Sequence, residues 1–250
     1  MVMVKTDEKL IVKGKRKDGR KPEDLRPVKL ELDVVKRADG SSQASFGNTV
    51  AVVAVYGPRK LYPRFLQESD TGILRCRYNM APFSVDERKK PGPSRRSVEI
   101  SKVTRLAFEP AVFLEDFPKV TIDVFVEIIA ADGSTRVTGI NAASVAMAAA
   151  GVPMRDLVSA CSVGKVDGEY VVDLNGIEDN NSDADIAFAM MPNKDLITLL
   201  QMDGRLTKEE LMKLLEMAGE NCRKIYSMQR EVIMKKYERV EAEDERGDVE

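Results

Sequence analysis

From Val120 onward, apolar residues recur at every second position: Val120, Ile122, Val124, Val126 and Ile128. That period of two predicts a strand with one buried face. The polar stretch Asp132-Gly133-Ser134-Thr135-Arg136 follows, and an alanine-rich run then predicts a helix over about 138–150. Its small side chains let another backbone pack close. Gly151 and Pro153 end it, as a C-cap glycine and a following breaker do.

Upstream, the pattern predicts strands over 27–35, 41–46 and 49–56, with Asp39-Gly40 as a hairpin turn. The near-continuous Val50, Val52, Val53 and Val55 predict burial on both faces. Gly57-Pro58 is expected to stop that strand, and a basic loop with Arg59, Lys60 and Arg64 to follow. Residues 73–80 read as a strand with Arg75 and Arg77 on one face, and 81–93 as a loop. Ser94 is placed to cap a helix running to about residue 114, interrupted at Pro110.

Downstream, 157–165 and 169–174 form a hairpin around Asp167-Gly168, and 175–183 reads as a polar, acidic loop. Strands follow over 186–191 and 196–202. Thr207-Lys208-Glu209-Glu210 is a capping box opening a long amphipathic helix, with Leu211, Leu214, Leu215, Ala218, Cys222, Ile225 and Met228 on one side. The order hairpin, strands, helix occurs twice, a sign of internal duplication. The expected organisation is a flexible arm over 1–15, one domain over 16–240 and an acidic, disordered tail over 241–250.

Composition narrows the chemistry. The 250 residues suit one large domain or two intimately packed halves. With no histidine, Ser-His-Asp and Cys-His catalysis and histidine metal sites are excluded. Cys76, Cys161 and Cys222 are odd in number and far apart, which fits neither a disulfide framework nor a metal-site spacing. No apolar run approaches membrane-spanning length and no signal-peptide core opens the chain, so a cytoplasmic location without membrane contact is expected. Net charge is −2, but residues 57–105 hold twelve Lys/Arg against five Asp/Glu. A basic stretch on a neutral protein implies a confined polyanion site.

Three features carry candidate chemistry. The 132–136 loop feeds a helix N-terminus, where open N–H groups and the dipole favour an anion, and Arg136 adds a planar cationic fork. The plainer alternative is that Ser134 and Thr135 only cap the helix. Arg95 and Arg96 stand in the first turn of theirs, against the dipole; either an anion compensates them or Glu99 pairs with Arg95 at the surface. Asp179, Asp183 and Asp185 cluster ahead of an apolar strand and either hold a cation or a proton among them or form a solvated loop. Together, a bound phosphate, arginines for a phosphodiester and carboxylates with a metal suit phosphoryl transfer.

These residues resemble the ribonuclease PH family, and within it the catalytic subunits of archaeal exosomes. The resemblance runs from about residue 16 to 237. It is carried by Arg16-Lys17-Asp18-Gly19-Arg20, Leu25-Arg26-Pro27, Ala54-Val55-Tyr56-Gly57-Pro58-Arg59 and Arg77-Tyr78-Asn79-Met80-Ala81-Pro82-Phe83-Ser84. Pro91-Gly92-Pro93-Ser94-Arg95-Arg96, Glu99-Ile100-Ser101-Lys102, the 132–136 loop, Gly151-Val152-Pro153-Met154-Arg155-Asp156-Leu157 and the 178–185 loop complete it.

The resemblance implies an α/β (α+β) fold of two pseudo-repeated βαβ-type halves, mixed sheets packed with helices. It implies processive 3′→5′ phosphorolysis of single-stranded RNA, with inorganic phosphate as co-substrate and nucleoside diphosphates as products. By carry-over, Ser134, Thr135, Arg136 and Arg96 hold the phosphate, while Arg95 and Arg64 bind RNA. Asp179 and Asp185 are the catalytic acids, binding Mg²⁺ or Mn²⁺ or protonating the leaving 3′-oxygen. The implied partners are a related non-catalytic ribonuclease PH-like subunit, in a hexameric ring built as a trimer of heterodimers, and separate RNA-binding cap subunits. The alternatives are a non-catalytic ring subunit and a homohexameric enzyme that trims tRNA 3′ ends. Two stretches depart from the family pattern: Ser134 stands where glycine is usual, and Ser182-Asp183-Ala184-Asp185 replaces Gly-Glu-Ala-Asp.

Overall fold

The computed structural model describes residues 9–247, with side chains through residue 238. Helix α2 (Thr135–Ala149) organises it, and every residue from 137 to 147 is buried. A helix this apolar on all sides needs cover on all sides. Two sheets provide it.

The first sheet contains β3 (Val28–Leu32), β4 (Gly40–Phe46), β5 (Thr49–Lys60), β6 (Ile73–Met80) and β7 (Val120–Ala130), in the order β3-β4-β5-β7-β6. Helix α1 (Arg95–Phe108) carries the chain from β6 to β7, and this crossover makes the pair parallel. The second sheet contains β8 (Ser159–Val166), β9 (Glu169–Val172), β10 (Ala184–Met191) and β11 (Leu196–Gly204), ordered β11-β10-β8-β9 and antiparallel throughout. Helix α4 (Lys208–Gly247) lies against β8 through Leu214, Ala218, Cys222 and Ile225. One apolar cluster runs through both sheets, joining the halves in a single core.

The pseudo-repeat is therefore only partial. The second half has no parallel βαβ unit, because its first helix, α3 (Gly176–Asn181), is six residues long, too short for a crossover. That helix also replaces the polar loop expected over 175–183. Strand β5 buries Ala51, Val53 and Val55 under α2, but Val50 and Val52 are only half-buried, so one face is covered rather than two. It also continues past Gly57-Pro58 to Lys60, absorbing the proline at a ladder irregularity between Tyr56 and Arg59.

On α4 the buried stripe ends at Gln229, not Met228. Gln229 is fully buried and donates to Val158 O (3.1 Å) and Asn141 Oδ1 (3.2 Å), while Met228 is 38% exposed.

The arm is docked from Leu10 onward. A small hairpin, β1 (Ile11–Val12) with β2 (Lys15–Arg16), packs Leu10 and Ile11 on Val166, Val171 and Leu174. The amides of Leu10 and Ile11 donate to the Asp167 carboxylate. The rest of the arm, residues 1–8, lies outside the described residues. At the other end α4 continues through 241–247, into the stretch expected as a disordered tail. Among the described residues no helix is long and apolar enough to cross a membrane.

Candidate active site

Three distant segments meet beside the N-terminus of α2. In the loop before it, Ser134 occupies the cap position with φ +55°, and its side chain does not cap the helix. The hydroxyl instead lies 2.6 Å from both Leu174 O and Ser162 Oγ. A non-glycine residue in that left-handed region costs roughly 1–2 kcal/mol. Two hydrogen bonds at about 0.5–1.5 kcal/mol each offset it. Because no side chain caps the first turn, its amides stay open at the positive end of the dipole. The simple capping alternative is thereby removed. Thr135 starts the helix, is 5% exposed, and accepts a 2.9 Å hydrogen bond from the Tyr78 hydroxyl. Arg136 is mostly buried, and its Nε has neither solvent nor a partner. An unpaired buried cationic donor beside open helix amides fits an anion such as phosphate.

The first turn of α1 supplies the second segment. Ser94 caps it through a reciprocal capping box with Ser97, which fixes Arg95 and Arg96 at the first two helical positions, both exposed. Glu99 does not pair with Arg95. It lies 3.8 Å from Arg136 and accepts from Gln201 Nε2 at 2.7 Å. Arg96 also borders a cavity of about 200 Å³ lined by Tyr78, Asn79, Met80, Lys89 and Ser97. Burial, with Arg96 nearby, pushes the Lys89 ammonium below its usual pKa. Burial and the charge of Arg96 do the same to Arg136. Clustered cations of this kind favour a bound anion.

The third segment brings the acids. Burial raises Asp179 above the ordinary carboxylate range, opposed by Arg96, Arg136 and Arg26. Asp185 is pushed up to about 6, first by burial and then by Asp179 and Asp203, while Arg136 and Arg96 pull it down. Asp179, Asp185, Arg96 and Arg136 thus form one electrostatic group. Asp183 is separate: it is exposed, and its amide donates to Lys165 O at 2.8 Å. Glu178 is turned inward, 2% exposed and held by Arg16. Among the described residues no three acidic, cysteine or histidine groups converge as a closed metal cage requires. The acids available are the Asp179–Asp185 pair.

A buried network holds these segments together. Arg26 grips Asp173 through both carboxylate oxygens (2.9 and 2.7 Å) and donates to Asp132 O at 2.6 Å. Gly176 N donates to Asp132 Oδ1 at 2.9 Å. Gly133 has φ +71°, and a Cβ there would lie 2.5 Å from the Asn175 backbone, so only glycine permits this approach.

Of the residues expected in the site, Arg96, Thr135, Arg136, Asp179 and Asp185 are brought together, with Arg95 one residue away on the α1 turn. Ser134 is adjacent, but its side chain is engaged elsewhere. Arg64 is not joined to the group; it lies on an exposed 3-10 turn (Arg64–Leu66) beside Phe65. Sequence reasoning missed Tyr78 and Asp203. Asp203 stands opposite Asp185 in the β10–β11 ladder, a pairing that the hairpin register alone could have shown.

On this two-sheet α+β fold, a cationic cradle facing paired carboxylates is what phosphoryl transfer requires. The chain belongs to the 3′ exoribonuclease family: residues 24–153 match the family's domain 1 and residues 156–221 its domain 2. It is 56% identical over 232 residues to the exosome complex component Rrp41 of Thermococcus kodakarensis, covering 93% of each chain. The Methanopyrus kandleri Rrp41 is 52% identical, covering 94% of this chain and 99% of the relative. Solved structures with the same fold include rice (Oryza sativa) Rrp46, at TM-score 0.78 and 23% identity, covering 87% of this chain and 100% of that one. Another is a chain of the Archaeoglobus fulgidus exosome with RNA bound to the active site, at TM-score 0.74 and 23% identity, covering 86% of this chain and 92% of that one.

Proposed function

We propose that this chain is the catalytic subunit of an archaeal exosome and shortens single-stranded RNA from its 3′ end by phosphorolysis. The observation that carries this reading is the meeting of Asp179 and Asp185 with Arg96 and Arg136 at the uncapped N-terminus of α2. The names of the Rrp41 relatives support the assembly.

Inorganic phosphate sits on the α2 amides, the Thr135 hydroxyl and the Arg136 and Arg96 guanidiniums. Arg95 holds the RNA backbone near the reacting bond, and Arg64 contacts RNA farther out. A phosphate oxygen attacks the 3′-terminal phosphodiester phosphorus. The new P–O bond leaves a nucleoside diphosphate, and the broken P–O3′ bond leaves a shortened RNA. The protonated form of Asp185 supplies the proton to the departing 3′-oxygen. In the alternative role, with Asp185 ionised, Asp179 and Asp185 would together hold Mg²⁺ or Mn²⁺, an ion that commonly takes only one or two carboxylates. When bound, that ion neutralises phosphate charge.

The ring partner is a related, non-catalytic chain. A chain of the same fold in the Archaeoglobus fulgidus exosome, only 23% identical to this one, supports that reading. Separate cap subunits deliver the RNA, and the complex works in the cytoplasm.

The test is 5′-labelled RNA incubated with Mg²⁺ and phosphate, with and without the co-expressed partner. The expected result is phosphate-dependent shortening that releases nucleoside diphosphates. Asp185→Ala should abolish turnover while RNA binding survives. No shortening even with the partner would support a non-catalytic ring subunit, and full activity of the protein alone would favour homohexameric tRNA trimming.

A further inference from the structure

Ser134, Ser162 and Leu174 form a closed circuit whose proton directions follow from valence. The Ser134 hydroxyl lies 2.6 Å from Leu174 O, which can only accept, so Ser134 spends its one proton there. Ser162 Oγ, 2.6 Å from Ser134 Oγ, must then donate to it. The accepting side of Ser162 takes the Leu174 amide at 3.3 Å. The circuit runs Leu174 N–H to Ser162, Ser162 to Ser134, and Ser134 to Leu174 C=O. No hydroxyl proton remains for a ligand.

The circuit grips both backbone polar groups of a residue that is 1% exposed. Leu174 leads directly into α3, where Asn175 caps the helix and Glu178 completes a capping box while held by Arg16. Asp179 follows on the same short, braced helix. On the other side Ser134 immediately precedes Thr135 and Arg136. The circuit therefore sets the spacing between the acid-bearing helix and the phosphate side of the site. We propose that Ser162 and the Ser134 hydroxyl are positioning residues, acting on Asp179 and the α2 cradle without touching substrate. This rests on the phosphorolysis reading above and adds to it.

The test uses the full chain in its complex with the ring partner. Ser162→Ala, Ser134→Gly and the double variant are compared by phosphorolysis at varied phosphate, by thermal melting, and by amide exchange over 174–180. Ser134→Gly relieves the positive φ and keeps the test valid should Ser162→Ala fold poorly. Each single change should lower kcat about fivefold, the rate equivalent of one net hydrogen bond, with the phosphate KM within about twofold. The double variant should be no slower than the slower single variant, because either change opens the circuit. A raised phosphate KM in Ser134→Gly alone would overturn the proposal by making that hydroxyl a direct ligand. Unchanged kcat in both, whatever the melting temperature, would overturn it by making the circuit structural only. If the wild-type complex consumes no phosphate, the functional reading fails instead. Faster exchange over 174–180 in Ser162→Ala would then still support the clasp, and unaltered exchange would overturn it.

Discussion

Burial works against the ionised form of Asp185. Burial and the neighbouring Asp179 and Asp203 lift its pKa from 3.8 to about 6, so the folded protein binds this proton more tightly than the unfolded chain. The stability linked to this group is fully present below about pH 4 and is lost as pH rises through about 6. Asp185→Asn keeps the shape and removes the charge. The variant should melt at a higher temperature than wild type at pH 7.5, with the gap closing between about pH 6 and pH 4. A lower melting temperature at pH 7.5 would show that the arginines, not burial, dominate there. The acid pair was legible as a cluster in an acidic stretch. Its third member was not, because Asp203 reaches Asp185 only across a strand pair.

The elements stand or fall on their termini and on what locks them. Helix α1 was legible from Ser94, and α4 from the Thr207–Glu210 capping box, in which each residue's amide donates to the other's side chain. Helix α3 was hidden by its length and polarity, although Asn175 and Glu178 carry the capping-box spacing. Beside the neutral serine circuit, two buried ion pairs brace α3 and the chain entering it: Arg26 with Asp173, and Arg16 with Glu178, Arg26 also reaching the 132–136 loop through Asp132 O. Removing Arg26 leaves the buried Asp173 carboxylate with only the more distant Arg20 guanidinium as an ion-pair partner, 3.8 Å away and without a direct hydrogen bond to it. Arg26→Met should therefore lower the unfolding free energy by roughly 3–5 kcal/mol in urea titrations. A loss below about 1 kcal/mol would place this pair with weak surface ion pairs.

At the scale of the whole molecule, one chain supplies both the cradle and the acids, so the proposed ring adds RNA path and stability rather than missing catalytic groups. Size exclusion should show the chain shifting to a hexamer-sized complex when co-expressed with its related partner. A wild-type hexamer formed by the chain alone would instead indicate a homomeric enzyme.

Sequence alone determined what local physics governs: the alternation of β7, the breaker after α2, the caps of α1 and α4, and the arginines that suit an anion beside aspartates that suit a cation or a proton. Tertiary structure decided what depends on meetings across the fold. It turned the Ser134 hydroxyl from the helix end toward Leu174, sent Glu178 to Arg16, separated Asp183 from Asp179 and Asp185, and left Arg64 apart. Periodicity and capping act over one or two turns of chain. The direction of a hydroxyl, or the pKa of a carboxyl, is set by groups that folding brings from tens of residues away.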